Sequence, residues 1–308
     1  MRFVRRPWFV VISMVAALLL AADVAIAATP TKFLSTPRNE GGGTADDKYK
    51  AYYQSRLGTP HKTDAYLKPP GQPRIKVNAD RTIAYYPNLE IGAAADDLRL
   101  VFTQESAAET DIKIWDVDAE VRRNPPPGVN TTKVESKPSL SGDKLLFGRG
   151  PRTGGGYMTR VILFDLGTAT STVLDTAPVN GIVFPGTVNG DWASWTECSR
   201  SACWAWRYEI STETKTEVPS NARLIYTSAV GADGTVWFVQ SGIGCGVNVK
   251  IRRAPTESAP TTLVDFPDAV DANVSDLDDS GATHRLYFDR VNCSNVNNWA
   301  IYHVPADG

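Results

Sequence analysis

The sequence predicts an all-β protein, a β-propeller, because two series of apolar runs repeat along it in step. The first series ends each time in an aromatic residue, at Phe102, Phe147, Trp195, Phe238 and Phe288, with steps of 45, 48, 43 and 50 residues. The second series, with runs such as IKIWD and VILFD, follows the first at nearly the same step. Short β-branched and aromatic runs with this period are typical of propeller blades of four antiparallel strands.

Each repeat contains four strand-like runs. In Leu140–Phe147, LSGDKLLF, a Gly-Asp turn joins the inner strand to the second strand, since a tight hairpin needs residues that tolerate positive φ. The third strand is of the ILFDL type, and a fourth, such as TSTVLDTAP, follows a polar turn. The Pro that closes several fourth strands suits an exposed edge, where a missing N–H costs no ladder hydrogen bond.

The number of blades depends on how the ring closes. The last repeat stops at Gly308, directly after its third strand. The segment Arg81–Asn88, RTIAYYPN, has the pattern of a fourth strand and lies before the first complete repeat, so we expect it to close the ring. This predicts five blades over residues 81–308. The alternative of six blades would draw another blade from residues 45–80, where few runs resemble strands.

The repeat motifs resemble a known group of propellers. SGDKLLF and ADGTVWF, each followed by an ILFDL-type run and a Thr-rich turn, resemble the blades of TolB-type propellers, and Trp115-Asp116 resembles the dipeptide of WD-repeat propellers. The resemblance covers residues 81–308 at the level of the blade. It implies a scaffold rather than a chemistry, so the active site and the partner stay open.

The segments before residue 81 differ in composition from the repeats. Residues 1–27 carry three Arg, then an apolar run, then Ala25-Ile26-Ala27, as in a cleavable secretory signal peptide, with an uncleaved anchor as the alternative. Residues 28–80, rich in Gly and Pro, indicate a flexible lead-in. Within the lead-in, Thr44 and Asp47 could cap a short helix over residues 45–57 that ends at Gly58.

Charge and hydropathy exclude two classes of partner. Without residues 1–27 the chain holds 29 basic and 33 acidic residues, a net charge of −4, which indicates no basic nucleic-acid surface. No later segment is apolar enough to span a membrane. We therefore expect a secreted or periplasmic protein that contacts neither nucleic acid nor the membrane interior.

Four cysteines predict two disulfides in an oxidising compartment. Cys198 and Cys203 flank a hairpin loop between the second and third strands of one blade, and Cys245 and Cys293 occupy that loop in the next two blades, so we expect the pairs Cys198–Cys203 and Cys245–Cys293 among the three pairings that four cysteines allow. Zinc binding is the alternative, but the sequence has no C-x2-C pair. The acidic run Asp276–Asp279 does not have the spacing of a calcium loop. The sequence therefore predicts no metal and no cofactor.

The loops between second and third strands form the predicted binding face, since propellers hold ligands in loops at one end of the channel. The candidate binding residues are the charged and amide side chains in these loops, namely Glu105, Arg149, Arg152, Glu197, Gln240, Asp289 and Arg290.

The sequence favours a non-catalytic protein that binds a protein or glycan partner. No G-x-S-x-G or HExxH motif appears, so no catalytic residue is predicted. The rival prediction is a glycoside hydrolase, which needs two facing carboxylates. Acids on the inner strands that could serve are Glu90, Glu135 and Asp271, and a cluster of four Trp residues over 192–206 could offer a sugar platform.

Overall fold

The computed structural model describes residues 28–34, 38–46, 48–56, 58–91, 97–107, 109–152, 157–220, 224–241, 249–280 and 283–307. The predicted signal peptide and Cys245 lie outside these residues. The described chain forms six antiparallel sheets of four strands each, arranged as the blades of a propeller. The predicted all-β propeller is confirmed, and the predicted number of five blades is wrong.

The strands follow one another from the channel outward in each blade. The N-terminal strand is β1, Thr31–Lys32. Blade 1 consists of β2 Glu40–Asp46, β3 Tyr49–Arg56, β4 Thr59–Lys68 and β5 Ile75–Lys76. Blade 2 consists of β6 Ile83–Ile91, β7 Leu98–Glu105, β8 Thr110–Asp116 and β9 Val121–Arg123. Blade 3 consists of β10 Val134–Ser141, β11 Lys144–Gly150, β12 Arg160–Asp165 and β13 Thr170–Thr176.

The remaining three blades have the same order. Blade 4 consists of β14 Ile182–Asn189, β15 Trp192–Cys198, β16 Cys203–Glu209 and β17 Thr214–Glu217. Blade 5 consists of β18 Leu224–Val230, β19 Val236–Ser241, β20 Val249–Ala254 and β21 Thr261–Phe266. Blade 6 consists of β22 Ala269–Asp278, β23 Arg285–Asn292 and β24 Asn295–Pro305, with β1 as its outer strand.

The ring closes through β1 rather than through the segment that the sequence suggested. Thr31 pairs with His303 and Lys32 with Tyr302, both on β24. The next residue, Phe33, donates its N–H to the Ile301 carbonyl at 2.9 Å. Its ring packs edge-on against Tyr287 with centroids 5.1 Å apart.

The segment Arg81–Asn88 begins the inner strand of blade 2 and is not a closing strand. Its Pro87 sits in a bulge, where the register of β6 against β7 shifts between Tyr85 and Asn88. A bulge tolerates Pro inside a sheet as well as an edge does. Pro87 therefore lies in an irregular inner strand and not in an edge strand. For this reason the assignment of Arg81–Asn88 as a closing fourth strand, and with it the count of five blades, was wrong.

The predicted lead-in, residues 28–80, contains the outer strand of blade 6, β1, and the four strands of blade 1, instead of a flexible segment with a helix. The predicted helix over residues 45–57 is replaced by the end of β2 and by β3. The glycines of β2 are required by close packing: a Cβ on Gly41 would lie 2.1 Å from the Tyr53 hydroxyl oxygen, and one on Gly43 would lie 2.2 Å from the Ile301 side chain. Their run reflects crowding against neighbouring side chains and not chain flexibility.

The repeated aromatic residues of the second strands form the core. Phe102, Phe147, Trp195, Phe238 and Phe288 each expose at most 1% of their surface. Their partners come from adjacent blades, since one cluster joins residues of blade 2 to residues of blade 3 around Phe147. Burial of an aromatic side chain contributes roughly 1.5–3 kcal/mol, so these contacts hold the blades together.

The strand register assigns the loops to the two ends of the channel. Ile83 at the start of β6 pairs with Glu105 at the end of β7, and Val134 pairs with Gly150 in the same way. The loops between second and third strands therefore lie at the end where the inner strands begin, which we call the loop face. The inner hairpin turns lie at the opposite end. The described part of the chain contains no helix that could cross a membrane.

Candidate functional site

The central channel is lined by six irregular inner strands. The register of each shifts near its middle, for example between Gly41 and Thr44 and between Ser136 and Ser139. Three residues at these bulges, Gly42, Tyr86 and Lys137, have positive φ values of 60°, 50° and 54°. Bulges re-aim side chains, and here they place Tyr86 and Lys137 in the wall of the channel.

A ring of hydrogen bonds ties each inner strand to the next. Side-chain oxygens accept from backbone N–H groups of the following blade in the pairs Leu89 to Thr44 (3.3 Å), Leu140 to Asn88 (2.7 Å), Val188 to Ser139 (3.0 Å), Val230 to Thr187 (2.8 Å) and Val274 to Thr227 (2.7 Å). The Thr44 hydroxyl closes the ring by donating to the Asp276 carboxylate. These bonds satisfy the backbone donors that the bulges release from the sheets.

The two ends of the channel differ. At the hairpin-turn end, the Asn189 amide donates to the Asp279 carboxylate at 2.7 Å. Asn189 ends the inner strand of blade 4 and Asp279 directly follows the inner strand of blade 6, and these two blades are not neighbours in the ring. The bond therefore spans the channel at that end.

A cavity of about 120 Å³, partly open to solvent, occupies the channel. Its polar lining includes Tyr53, Lys137, Asn273, Ser275 and Asp289. Asp289 is 5% exposed and accepts a hydrogen bond from the Ser275 hydroxyl at 3.1 Å. Burial raises the pKa of Asp289 to about 7, against the opposing effects of the Ser275 and Gly42 hydrogen bonds.

Lys137 is the cationic group of this cavity. Its ammonium lies 4.9 Å from the ring centroid of Tyr86 and 4.9 Å from that of Phe184. Burial lowers the pKa of Lys137 to about 8, and the nearby Asp289 charge opposes this shift. Burial also raises the pKa values of the Tyr53 and Tyr86 hydroxyls, and both are raised further by Asp289. The cavity thus holds an acid and a base that both titrate near neutral pH.

A groove of about 550 Å³ runs from the loop face toward this cavity. We call it the blade 2–4 groove, and it is lined by Tyr85, Tyr86, Glu105, Thr110, Val134, Ser136, Lys137, Arg152, Tyr157, Met158, Ile182 and Phe184. Tyr86 and Lys137 line both spaces. Tyr157 is 58% exposed, unusual for a large aromatic side chain. The groove combines aromatic and apolar walls with three charged side chains, Glu105, Lys137 and Arg152.

Three of the predicted binding residues lie in these two spaces. Glu105 and Arg152 line the groove, and Asp289 lines the cavity. The wall residues Lys137 and Phe184 were not predicted from the sequence. The sequence did contain a signal for these wall residues. An X-Pro pair occurs within each of three successive inner strands, namely Tyr86-Pro87, Lys137-Pro138 and Phe184-Pro185.

Two predicted residues make ionic and hydrogen-bond contacts or ring contacts within the fold. Arg149 donates to the Glu135 carboxylate at 2.8 Å and to the carbonyls of Gly128 and Val129. Arg290 lies over the Phe266 ring, at 5.2 Å, and forms an ion pair with Asp268 at 3.5 Å.

The other two lie away from the channel cavity. Glu197 lies 3.9 Å from the Lys215 ammonium, and its pKa is raised by burial and by Asp175. Gln240 lines a separate pocket with Arg252.

The acids and aromatic residues of the rival predictions differ in burial: Glu90, Trp192, Trp204 and Trp206 are half-buried. Glu135 is fully buried and Asp276 is 5% exposed. Asp271, whose pKa is raised by burial, is half-buried. Trp195 is fully buried, and its indole N–H donates to Asp175 at 2.6 Å. Within the described residues, no group of three or more His, Cys, Asp or Glu side chains is arranged to hold a metal ion.

The predicted disulfide between Cys198 and Cys203 is confirmed, and it closes the loop between β15 and β16. Cys293 is also disulfide-bonded. The predicted pairing of Cys293 with Cys245 stays a prediction, because Cys245 lies outside the described residues.

No protein-family model matches this chain, and no curated protein matches its sequence. Solved structures do share its fold. TolB from Acinetobacter baumannii has a TM-score of 0.55 and 14% identity, over 84% of this chain and 63% of that one, so the chain spans less than two thirds of that protein. A putative TolB from Agrobacterium tumefaciens has a TM-score of 0.52 and 12% identity, over 76% and 83% of the two chains.

An enzyme is also among the similar structures. An oligogalacturonate lyase from Vibrio parahaemolyticus has a TM-score of 0.50 and 8% identity, over 83% of this chain and 74% of that one. The TolB-type resemblance of the blades is thus confirmed. At these identities the likeness shows the fold alone, a scaffold that serves binding proteins and enzymes alike.

Proposed function

We propose that this protein is a secreted or periplasmic propeller that binds a protein partner through the blade 2–4 groove, without catalysis. The observation that carries the proposal is the continuity of this groove with the channel through Tyr86 and Lys137. A rigid ring presents the groove, which keeps the entropy cost of binding low. The fold shared with TolB proteins supports the location and the binding role by analogy.

The composition of the groove favours a polypeptide over a glycan. Val134, Met158 and Ile182 contribute apolar side chains, and the exposed Tyr157 offers a large aromatic contact. Tyr is enriched at protein interfaces because its ring is apolar and its hydroxyl forms hydrogen bonds. Trp195, one of the four Trp residues of the alternative sugar platform, is fully buried in the core and cannot contact a sugar.

The proposal is tested by co-purification from the native envelope or medium. The variant Tyr157→Asp places a charge on an exposed lining residue of the groove and is expected to abolish recovery of the partner. The matched control is Val173→Asp on β13, where Val173 is 50% exposed outside the groove, and it should recover the partner as wild type does. Equal recovery of the partner by the two variants would contradict the proposal that the groove is the binding surface.

A second candidate function is hydrolysis of a glycan, favoured by one observation. Asp289, with its pKa raised to about 7, interacts electrostatically with Asp271, so two acids of one blade influence each other near the channel. A raised pKa suits a general acid. Turnover of a polysaccharide that disappears on Asp289→Asn and Asp271→Asn, with folding intact, would favour this function over binding alone.

A further inference from the structure

Lys137 is held in place by the fold without an ionic partner. Its ammonium lies between the rings of Tyr86 and Phe184. Among the described residues, the side chain makes no ion pair and no hydrogen bond; only the backbone N–H of Lys137 donates, to the Thr103 hydroxyl. Its backbone has a φ of 54°, in the left-handed region that residues with a side chain rarely adopt. A half-buried cation on a strained backbone is a feature of binding sites.

The groups that face Lys137 come from several strands. Tyr86 on β6 and Phe184 on β14 contact the ammonium, while Tyr53 on β3 and Asp289 on β23 share the cavity. Asp289 already accepts from Ser275 and lies outside ion-pair distance of Lys137. When protonated, its carboxyl group can donate a hydrogen bond to a ligand. The cavity therefore offers one positive charge and several hydroxyl groups.

We propose that the channel cavity binds a small-molecule carboxylate, with the Lys137 ammonium as its charged partner. A single cation with no Arg beside it in the cavity lining suits one negative charge better than a phosphate. The aromatic rings suit a flat apolar body next to that charge. This site goes beyond the proposed partner binding, since it lies in the cavity and requires no partner.

The test uses the oxidised mature protein and two probes of the same shape, benzoate and the neutral benzamide. Isothermal titration at pH 6 should show that benzoate binds about 10- to 150-fold more tightly than benzamide, the range expected for a charged hydrogen bond. The variant Lys137→Asn removes the charge, while Asn tolerates the positive φ at this position. It should reduce benzoate affinity to that of benzamide.

Two variants of this protein serve as controls for the carboxylate site. Lys133→Asn removes an exposed lysine near the loop face and should leave benzoate binding unchanged. Tyr157→Asp, which disrupts the proposed partner groove, should also leave it unchanged, so the two proposals fail independently. Equal affinity of wild type for benzoate and benzamide, or no binding of either, would overturn the carboxylate site, even if Lys137→Asn does not fold.

Discussion

Replacing Glu135 with Gln tests whether the acid at the start of β10 is structural, as we infer, or catalytic. Glu135 is fully buried, and it accepts from the Arg149 guanidinium at 2.8 Å and from the Thr131 hydroxyl at 2.6 Å. Arg149 is 15% exposed at its side chain. The substitution therefore leaves a largely buried cation without its counter-charge.

The expected cost follows from this burial. Breaking a buried ion pair from one side destabilises a protein by about 3–5 kcal/mol. The residual exposure of Arg149, and its hydrogen bonds to the Gly128 and Val129 carbonyls, place the expected loss at about 3 kcal/mol, the lower end of that range. Urea unfolding at constant pH measures this loss, with Glu105→Gln, a half-buried acid of the groove, as the control expected to cost less than about 1 kcal/mol.

A loss below about 1 kcal/mol for Glu135→Gln would refute the structural assignment. The double variant Glu135→Gln with Arg149→Met adds a second check, because removing both charges should be less costly than the sum of the single changes. Strict additivity would show that the two side chains do not depend on each other.

Three further predictions follow from the ring, the disulfide and the cavity. Asn88→Ala leaves the Leu140 N–H without its acceptor and should lower the free energy of unfolding by about 1–3 kcal/mol in urea titrations, whereas a change within 0.3 kcal/mol would argue against the inter-blade ring. The double variant Cys198→Ser, Cys203→Ser should cost about 2 kcal/mol, the entropy of a short loop, measured against oxidised wild type; no change would show that the loop is held without it. The pKa of Asp289 rises from 3.8 to about 7 on folding, so the native state binds this proton more tightly than the unfolded state. The contribution of Asp289 to the free energy of unfolding therefore falls as the pH rises from about 4 to about 7. Asp289→Asn should make the free energy of unfolding less dependent on pH in this range, and an unchanged pH profile would contradict the raised pKa.

The repeat could be predicted because blades 2 to 6 each bury an aromatic residue at the same place in the second strand. This residue packs between blades, so its spacing is visible in the sequence. The turn glycines Gly142 and Gly190, with φ of 55° and 56°, mark the hairpins for the same reason. Local periodicity is thus a reliable record of a repeated packing contact.

The blade count could not be predicted because blade 1 departs from the repeat pattern. Its inner strand, EGGGTAD, uses glycines where Tyr53 and Ile301 leave no room for a side chain. That crowding involves residues far apart in the chain, Gly43 and Ile301, so composition alone indicates a linker. The same limit applies to the cavity, where Lys137 meets Phe184 of another blade only after the ring has closed.

Site-specific photo-crosslinking in the native envelope tests the central claim, that the blade 2–4 groove is the binding surface. A photoreactive amino acid is placed at Tyr157, in the groove, or at Val173, on the outer strand of blade 3. We predict that irradiation yields a discrete adduct from position 157 and none from position 173. Adducts from both positions, or from position 173 alone, would contradict the account.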